Sequence, residues 1–156
     1  MGLRVSFLGR ITVKVFLGLL LSSCTALAQT VTDGDTLKLN GVTYRLWGID
    51  APETKQDCPD GWAAGRLATT HLQALIAGRN VICERKDTDR YRRIVAVCRA
   101  GGEDLGAIMV RDGYAWAFVR YSADYVSQEV LARREILGVH RHGCMPAWDW
   151  RAAQRK

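Results

Sequence analysis

Between Thr36 and Ile49 the chain reads TLKLN-G-VTYRLWGI, two β-rich runs joined by Asn40-Gly41. Apolar and polar residues alternate in the first run, and Asn-Gly between such runs predicts a tight hairpin. The period then changes. Ala64, Leu67, Ala68, Leu72, Leu75 and Ile76 share one helical face and Gly78 follows them, so a helix is predicted over about 62–77. NVICE and RIVAVC read as two more strands on either side of the charged turn RKDTDRYR. Leu105, Ile108 and Met109 predict a short helix over about 103–112, stopped by Gly113. YAWAFV is a strand or extended segment, and Ser122 is placed to cap a helix running to about Leu137, before Gly138. The tail VHRHGCMPAWDWR reads as irregular, but its two tryptophans predict that it docks. Strands and helices interleave without a βαβ rhythm, which predicts an α+β domain built on a small barrel.

The N-terminus is patterned differently. Arg4, Arg10 and Lys14 precede the apolar run VFLGLLL, and small residues follow up to Ala28. This is the layout of a secretory signal peptide over residues 1–28. The run is well short of the ~20 apolar residues of a membrane span. LSSC, ending at Cys24, also fits a lipoprotein signal that ends before Cys24 and leaves that residue lipidated. Both readings predict export, to the periplasm or medium or to a lipid tether. Residues 29–156 are left as a single domain with a C-terminal tail.

Removing the leader changes the charge. The 156-residue chain carries +6. Its 22 basic residues less the leader's three leave 19 against 16 acidic, a net +3. A mild positive charge is compatible with a polyanionic partner and does not identify one. Cys58, Cys83, Cys98 and Cys144 remain, an even number suited to an oxidising compartment. Cys83 and Cys98 lie on two strands read as antiparallel neighbours, which predicts the pair Cys83–Cys98. Cys58–Cys144 follows by elimination.

Candidate chemistry starts with TDGDT, residues 32–36, where Asp35 enters an alternating strand. An EF-hand is excluded, because Leu37 stands where a third oxygen ligand belongs. In RLWGIDAPE, strand alternation places Arg45, Trp47 and Ile49 on one face and Leu46, Gly48 and Asp50 on the other. Asp35 and Asp50 are hard oxygen donors of the kind calcium takes. Glu53 is placed to hold a water or take its proton, and Arg45 offers a fork for a phosphate oxygen. In DTDRYRR, Arg93 begins the returning strand and supplies a second guanidinium. One metal, two guanidiniums and a carboxylate make a phosphodiester-cleaving set.

DGDT, YRLWGIDAPET and DRYRR, in this order and with a helix between the last two, resemble the thermonuclease (staphylococcal nuclease-like) family from Val31 to about Gly138. The resemblance implies a five-stranded OB-fold barrel with three packed helices. It also implies Ca2+ dependence and hydrolysis of DNA and RNA that leaves 3′-phosphates. By position, Asp35 and Asp50 match the metal carboxylates, and Ala51 falls where a backbone carbonyl ligates the ion. Arg45, Glu53 and Arg93 match the catalytic residues. Arg90 and Tyr91 match substrate contacts, and Tyr121 is a further candidate for that role. Two positions depart from the family pattern. Arg92 stands where a Gly is usual, which would strain the turn or shift Arg93 if that position needs positive φ. A substrate-binding tyrosine is replaced near Val119.

His140, His142 and Cys144 form H-x-H-x-C, a potential zinc or copper set that oxidation of Cys144 would disable. His71 reads as packing, and Trp116, Trp148 and Trp150 as core or docking residues. No obligate protein partner is implied, and a monomer is expected. A rival reading is an OB-fold module that binds single-stranded nucleic acid without cutting it. Such a module needs none of Arg45, Glu53, Arg93, Asp35 and Asp50 as a set. A third reading, a tethered envelope protein with a structural role, depends on lipidation of Cys24.

Overall fold

The computed structural model describes Gly2 and residues 28–155, so Cys24 and the apolar core of the leader lie outside the described residues. Among the described residues no helix is long and apolar enough to cross a membrane. The main sheet is built from β1 (Gln29–Asp33), β2 (Thr36–Leu39), β3 (Val42–Leu46), β5 (Val81–Thr88) and β6 (Ile94–Ala100), in the order β1-β2-β3-β6-β5. A short β7 (Glu103–Asp104) adds to β6. A second, two-stranded sheet joins β4 (Ile49–Asp50) to β8 (Trp116–Ala117). The predicted hairpin forms β2–β3, and Asn40 and Gly41 both take positive φ as its tight turn requires. β3 pairs with β6 in parallel, and the helix α1 (Ala64–Ile76) lies between them in sequence.

The α+β class holds, with two corrections to the architecture. The strands pair as an open mixed sheet plus a two-stranded sheet among the described residues, not as a closed five-stranded barrel. Among the described residues there are also five helices rather than three: α1, α2 (Leu105–Arg111), α3 (Val126–Arg134), α4 (Gly138–Arg141) and α5 (Ala147–Ala153). The tail read as irregular therefore carries two short helices. α3 starts later than predicted, because the Ser122 hydroxyl accepts from the Asp124 amide in a local turn instead of capping the helix.

One core joins the sheet to α1 and α2, through Leu37, Leu46, Ile49, Leu72, Leu105 and Met109. A smaller cluster holds the tail, with Cys58, Ala64, Trp116, Val139, Cys144 and Ala147 packed together. Both disulfides form as predicted. Cys83 and Cys98 are direct cross-strand partners on β5 and β6. Cys58–Cys144 spans 86 residues and ties the tail to the loop after β4. In the chain-entropy view a closure of that length is worth roughly 4–5 kcal/mol.

Candidate active site

Arg45 is the last residue but one of β3, and Asp50 ends β4. Unbroken alternation would hold them on opposite faces. The strand instead turns at Gly48, which takes φ +66, a conformation that carries little cost only without a Cβ. A Cβ there would also press into the Tyr125 ring at 3.1 Å. The break returns Asp50 to the Arg45 side, and the sequence assignment of the two to opposite faces is corrected accordingly. One Arg45 Nη donates to Asp50 Oδ1 at 2.9 Å and to the Ile49 carbonyl at 3.3 Å, and the other reaches Asp35 Oδ2 at 2.7 Å. A single guanidinium thus draws two carboxylates, one from the β1–β2 turn and one from β4, onto one spot.

Both carboxylates are buried, Asp50 completely and Asp35 to 5% exposure. Asp35 Oδ2 accepts from the Ala51 amide at 3.2 Å and Oδ1 from the Thr36 hydroxyl at 3.0 Å. Burial raises the Asp50 carboxyl above its ordinary value, although the guanidiniums of Arg151 and Arg45 pull against it. Asp33 is pushed up to about 6, by burial and by the charge of Asp35. Burial works against the Arg45 cation, but Asp35 and Asp50 outweigh it and raise its pKa.

Glu53 lies in the loop after β4, half-buried. Its backbone is held from two sides. The Glu53 amide donates to Gln56 Oε1 at 3.2 Å, and Gln56, 1% exposed, donates through Nε2 to the Met145 carbonyl of the tail at 2.6 Å. Gly65, in the first turn of α1, lies so close that a Cβ would overlap the Glu53 carbonyl. The Glu53 carboxylate accepts from Arg151 Nη1 at 2.6 Å. The same guanidinium pairs with Asp50 Oδ2 at 2.7 Å.

Arg93 approaches from the β5–β6 turn. Asp89 Oδ1 accepts from the amides of Tyr91 and Arg93, each at 2.9 Å, and Oδ2 pairs with Arg93 Nε at 2.7 Å. One Arg93 Nη also donates to Thr36 Oγ1 at 3.4 Å, so the hydroxyl beside Asp35 links the two arginine regions. Arg92 takes φ +65, the left-handed conformation its position was suspected to need. Arg93 still reaches Thr36, so the departure from Gly strains the turn without removing the guanidinium. The exposed Tyr91 ring lies beneath Arg90 at 4.8 Å and Arg93 at 5.6 Å, which concentrates positive charge on one phenol.

The structure therefore joins Asp35, Arg45, Asp50 and Ala51 directly, Glu53 through Arg151, and Arg93 through Thr36. Arg90 and Tyr91 form an exposed flank beside Arg93. Tyr121, 64% exposed, packs on Phe118, which stacks against Trp148, and makes no hydrogen bond to the carboxylates among the described residues. Two of the three histidines are engaged away from the site. His71 pairs with Asp112 and stacks on Tyr114, and His142 pairs with Asp60. With Cys144 in a disulfide, H-x-H-x-C holds no metal set. Thr36, Gln56, Asp89 and Arg151 were missed in the sequence. Asp89, four residues before Arg93, had a spacing signal. Arg151 had none, because its partners lie about 100 residues away, and the tail partner of Gln56 lies 89 residues away.

Among the described residues no cluster of three His, Cys, Asp or Glu side chains is gathered tightly enough to hold a metal on side chains alone. The donors that do converge fit a calcium-like ion that completes its shell with carbonyl and water oxygens. Asp35, Asp50 and Glu53 place three carboxylates against the two guanidiniums of Arg45 and Arg151, so the pocket retains an unmatched negative charge.

Residues 43–139 match the family model described as Staphylococcal nuclease homologue. An uncharacterized endonuclease of Escherichia coli is 36% identical over 129 residues, covering 78% of this chain and 80% of its own length. The Micrococcal nuclease of Shigella flexneri is 33% identical over 143 residues, covering 80% and 79%. An uncharacterized endonuclease of Haemophilus influenzae is 32% identical over 129 residues, covering 76% and 69%. The carboxylate–guanidinium site and these matches agree, and the chain belongs to the staphylococcal nuclease family, a nuclease that hydrolyses nucleic acid.

Proposed function

We propose that the protein is an exported, Ca2+-dependent phosphodiesterase that cuts DNA and RNA and leaves 3′-phosphates. The observation that carries this reading is the bridging of Asp35 and Asp50 by Arg45, with Glu53 adjoining through Asp50's other partner. Asp35, Asp50 and the Ala51 carbonyl would hold the cation. When bound, the cation supplies Lewis-acid polarisation of a phosphoryl oxygen. Arg45 keeps an Nε–H with no protein acceptor among the described residues, available to a phosphate oxygen. Arg93 presents the second fork from across Thr36. The two guanidiniums oppose the negative charge that grows as water adds to phosphorus. Glu53 orients that water and accepts its proton. Arg90, Tyr91 and Tyr121 hold the flanking nucleotides, through charge and stacking.

One chain carries every group this scheme needs, which supports a monomer. The two disulfides suit an oxidising compartment outside the cytoplasm. The test is cleavage of denatured DNA and of RNA in calcium and then in excess chelator, with end-group analysis of the products. Cutting stops in chelator and returns with calcium, and Glu53→Ala loses about 100-fold or more in rate. Cutting that persists unchanged in chelator would overturn the scheme.

A further inference from the structure

Arg151 has no counterpart in the motifs that define the site, yet it makes three bonds inside it. Nη2 meets Asp50 Oδ2 at 2.7 Å, while Nη1 meets Glu53 Oε1 at 2.6 Å and Asp50 Oδ1 at 3.2 Å. With Arg45 also on Asp50 Oδ1, both oxygens of this fully buried carboxylate are engaged by guanidiniums. Any other cation that uses Asp50 meets Arg151 first, in space and in charge.

The contact is built into the tail rather than made by a stray surface side chain. α5 carries Arg151, and Ala147 at its start is fully buried. Trp148 packs on Trp116 and Phe118, beside the strand that pairs with Asp50. Just before α5, Cys144 is bonded to Cys58 and the Met145 carbonyl accepts from Gln56. Gln56 and Cys58 belong to the loop that carries Glu53. The tail and that loop are thus tied at a disulfide, a buried amide relay and an ion pair.

We propose that Arg151 is a built-in cation that competes with a divalent ion for Asp50, so that a metal ion binds there only by displacing it. The inference rests on the metal role proposed for Asp35 and Asp50 and goes beyond it. Mutually exclusive occupancy is a negative coupling, and couplings of this kind typically change affinity by about 5- to 150-fold.

The test is calorimetric titration of CaCl2 into the oxidised protein after removal of divalent ions, with no substrate present. Wild type, Arg151→Gln, Arg151→Lys and Asp35→Asn are compared, and folding is checked by circular dichroism. Arg151→Gln binds calcium about tenfold more tightly than wild type. Its melting temperature also rises more than that of wild type on adding saturating calcium. Arg151→Lys, which keeps a cation but loses the fork, falls between them and carries the test should the glutamine variant not fold. Wild-type binding that Asp35→Asn abolishes but Arg151→Gln leaves equal or weakens would overturn this inference alone. No calcium binding by any of the proteins would overturn the metal reading and this inference with it.

Discussion

The two arginines assigned to phosphate sit in different surroundings. Arg45 is part of the fold. Its side chain is 17% exposed and neutralises two buried carboxylates, one from the β1–β2 turn and one from β4. Arg93 belongs to a turn, and its Nε partner, Asp89, is four residues away. Removing Arg45 strips charge from the interior, whereas removing Arg93 loosens a surface turn. The same chemistry toward substrate is therefore tied to stability in one region and nearly independent of it in the other.

The largest effect that separates the regions is Arg45→Ala. It leaves Asp35 and Asp50 with one fewer guanidinium, and unfolding in chelator shows a loss of about 3 kcal/mol or more together with abolished cutting. Arg93→Ala lowers the cleavage rate by about 100- to 1000-fold, as loss of a transition-state donor does, while chemical denaturation detects a change of about 1 kcal/mol or less. Equal stability losses in the two variants would break the comparison.

Acid sharpens it further. Burial tends to raise the Asp89 carboxyl, but hydrogen bonds from the Arg93 side chain and amide outweigh this and hold it below 3.8. A depressed folded-state pKa contributes stability that is present above the unfolded value and is lost as pH falls through the folded one. Melting temperatures measured below pH 4 therefore show a steeper acid loss in wild type than in Asp89→Asn. Asp50, raised by burial, titrates above Asp89 in a carboxyl NMR titration. The reverse order would show that the turn, not the strand end, is the desolvated region.

The smallest effect is at Arg92. Relief of its left-handed backbone by Arg92→Gly offsets the entropy that glycine adds to the unfolded chain, for a net gain of up to about 1 kcal/mol. A raised melting temperature with Arg93 activity retained confirms that Arg92 only strains the turn.

Local signals were readable in advance. Asn40-Gly41 announced its hairpin, the apolar face of α1 announced that helix, and Cys83 and Cys98 were found as partners once their strands were paired. Gly48 misled the reading, because its positive φ ended a run that otherwise looked like continuous strand. The short helices of the tail were missed for a related reason. α4 has four residues and α5 seven, too few for a helical period to show.

What the sequence determined by itself was the inventory and the local order: the α+β class, the hairpin, the first helix, and DGDT, RLWGIDAPE and DRYRR as the segments that carry charge with a purpose. Those depend on neighbours a few residues apart, where spacing encodes geometry. Tertiary structure alone decided that Arg45 and Asp50 share a face, that Thr36 joins Arg93 to Asp35, and that Arg151 reaches Asp50 from 101 positions away. Each of these depends on how the elements pack, and a buried carboxylate takes whichever cation the packed chain brings within reach.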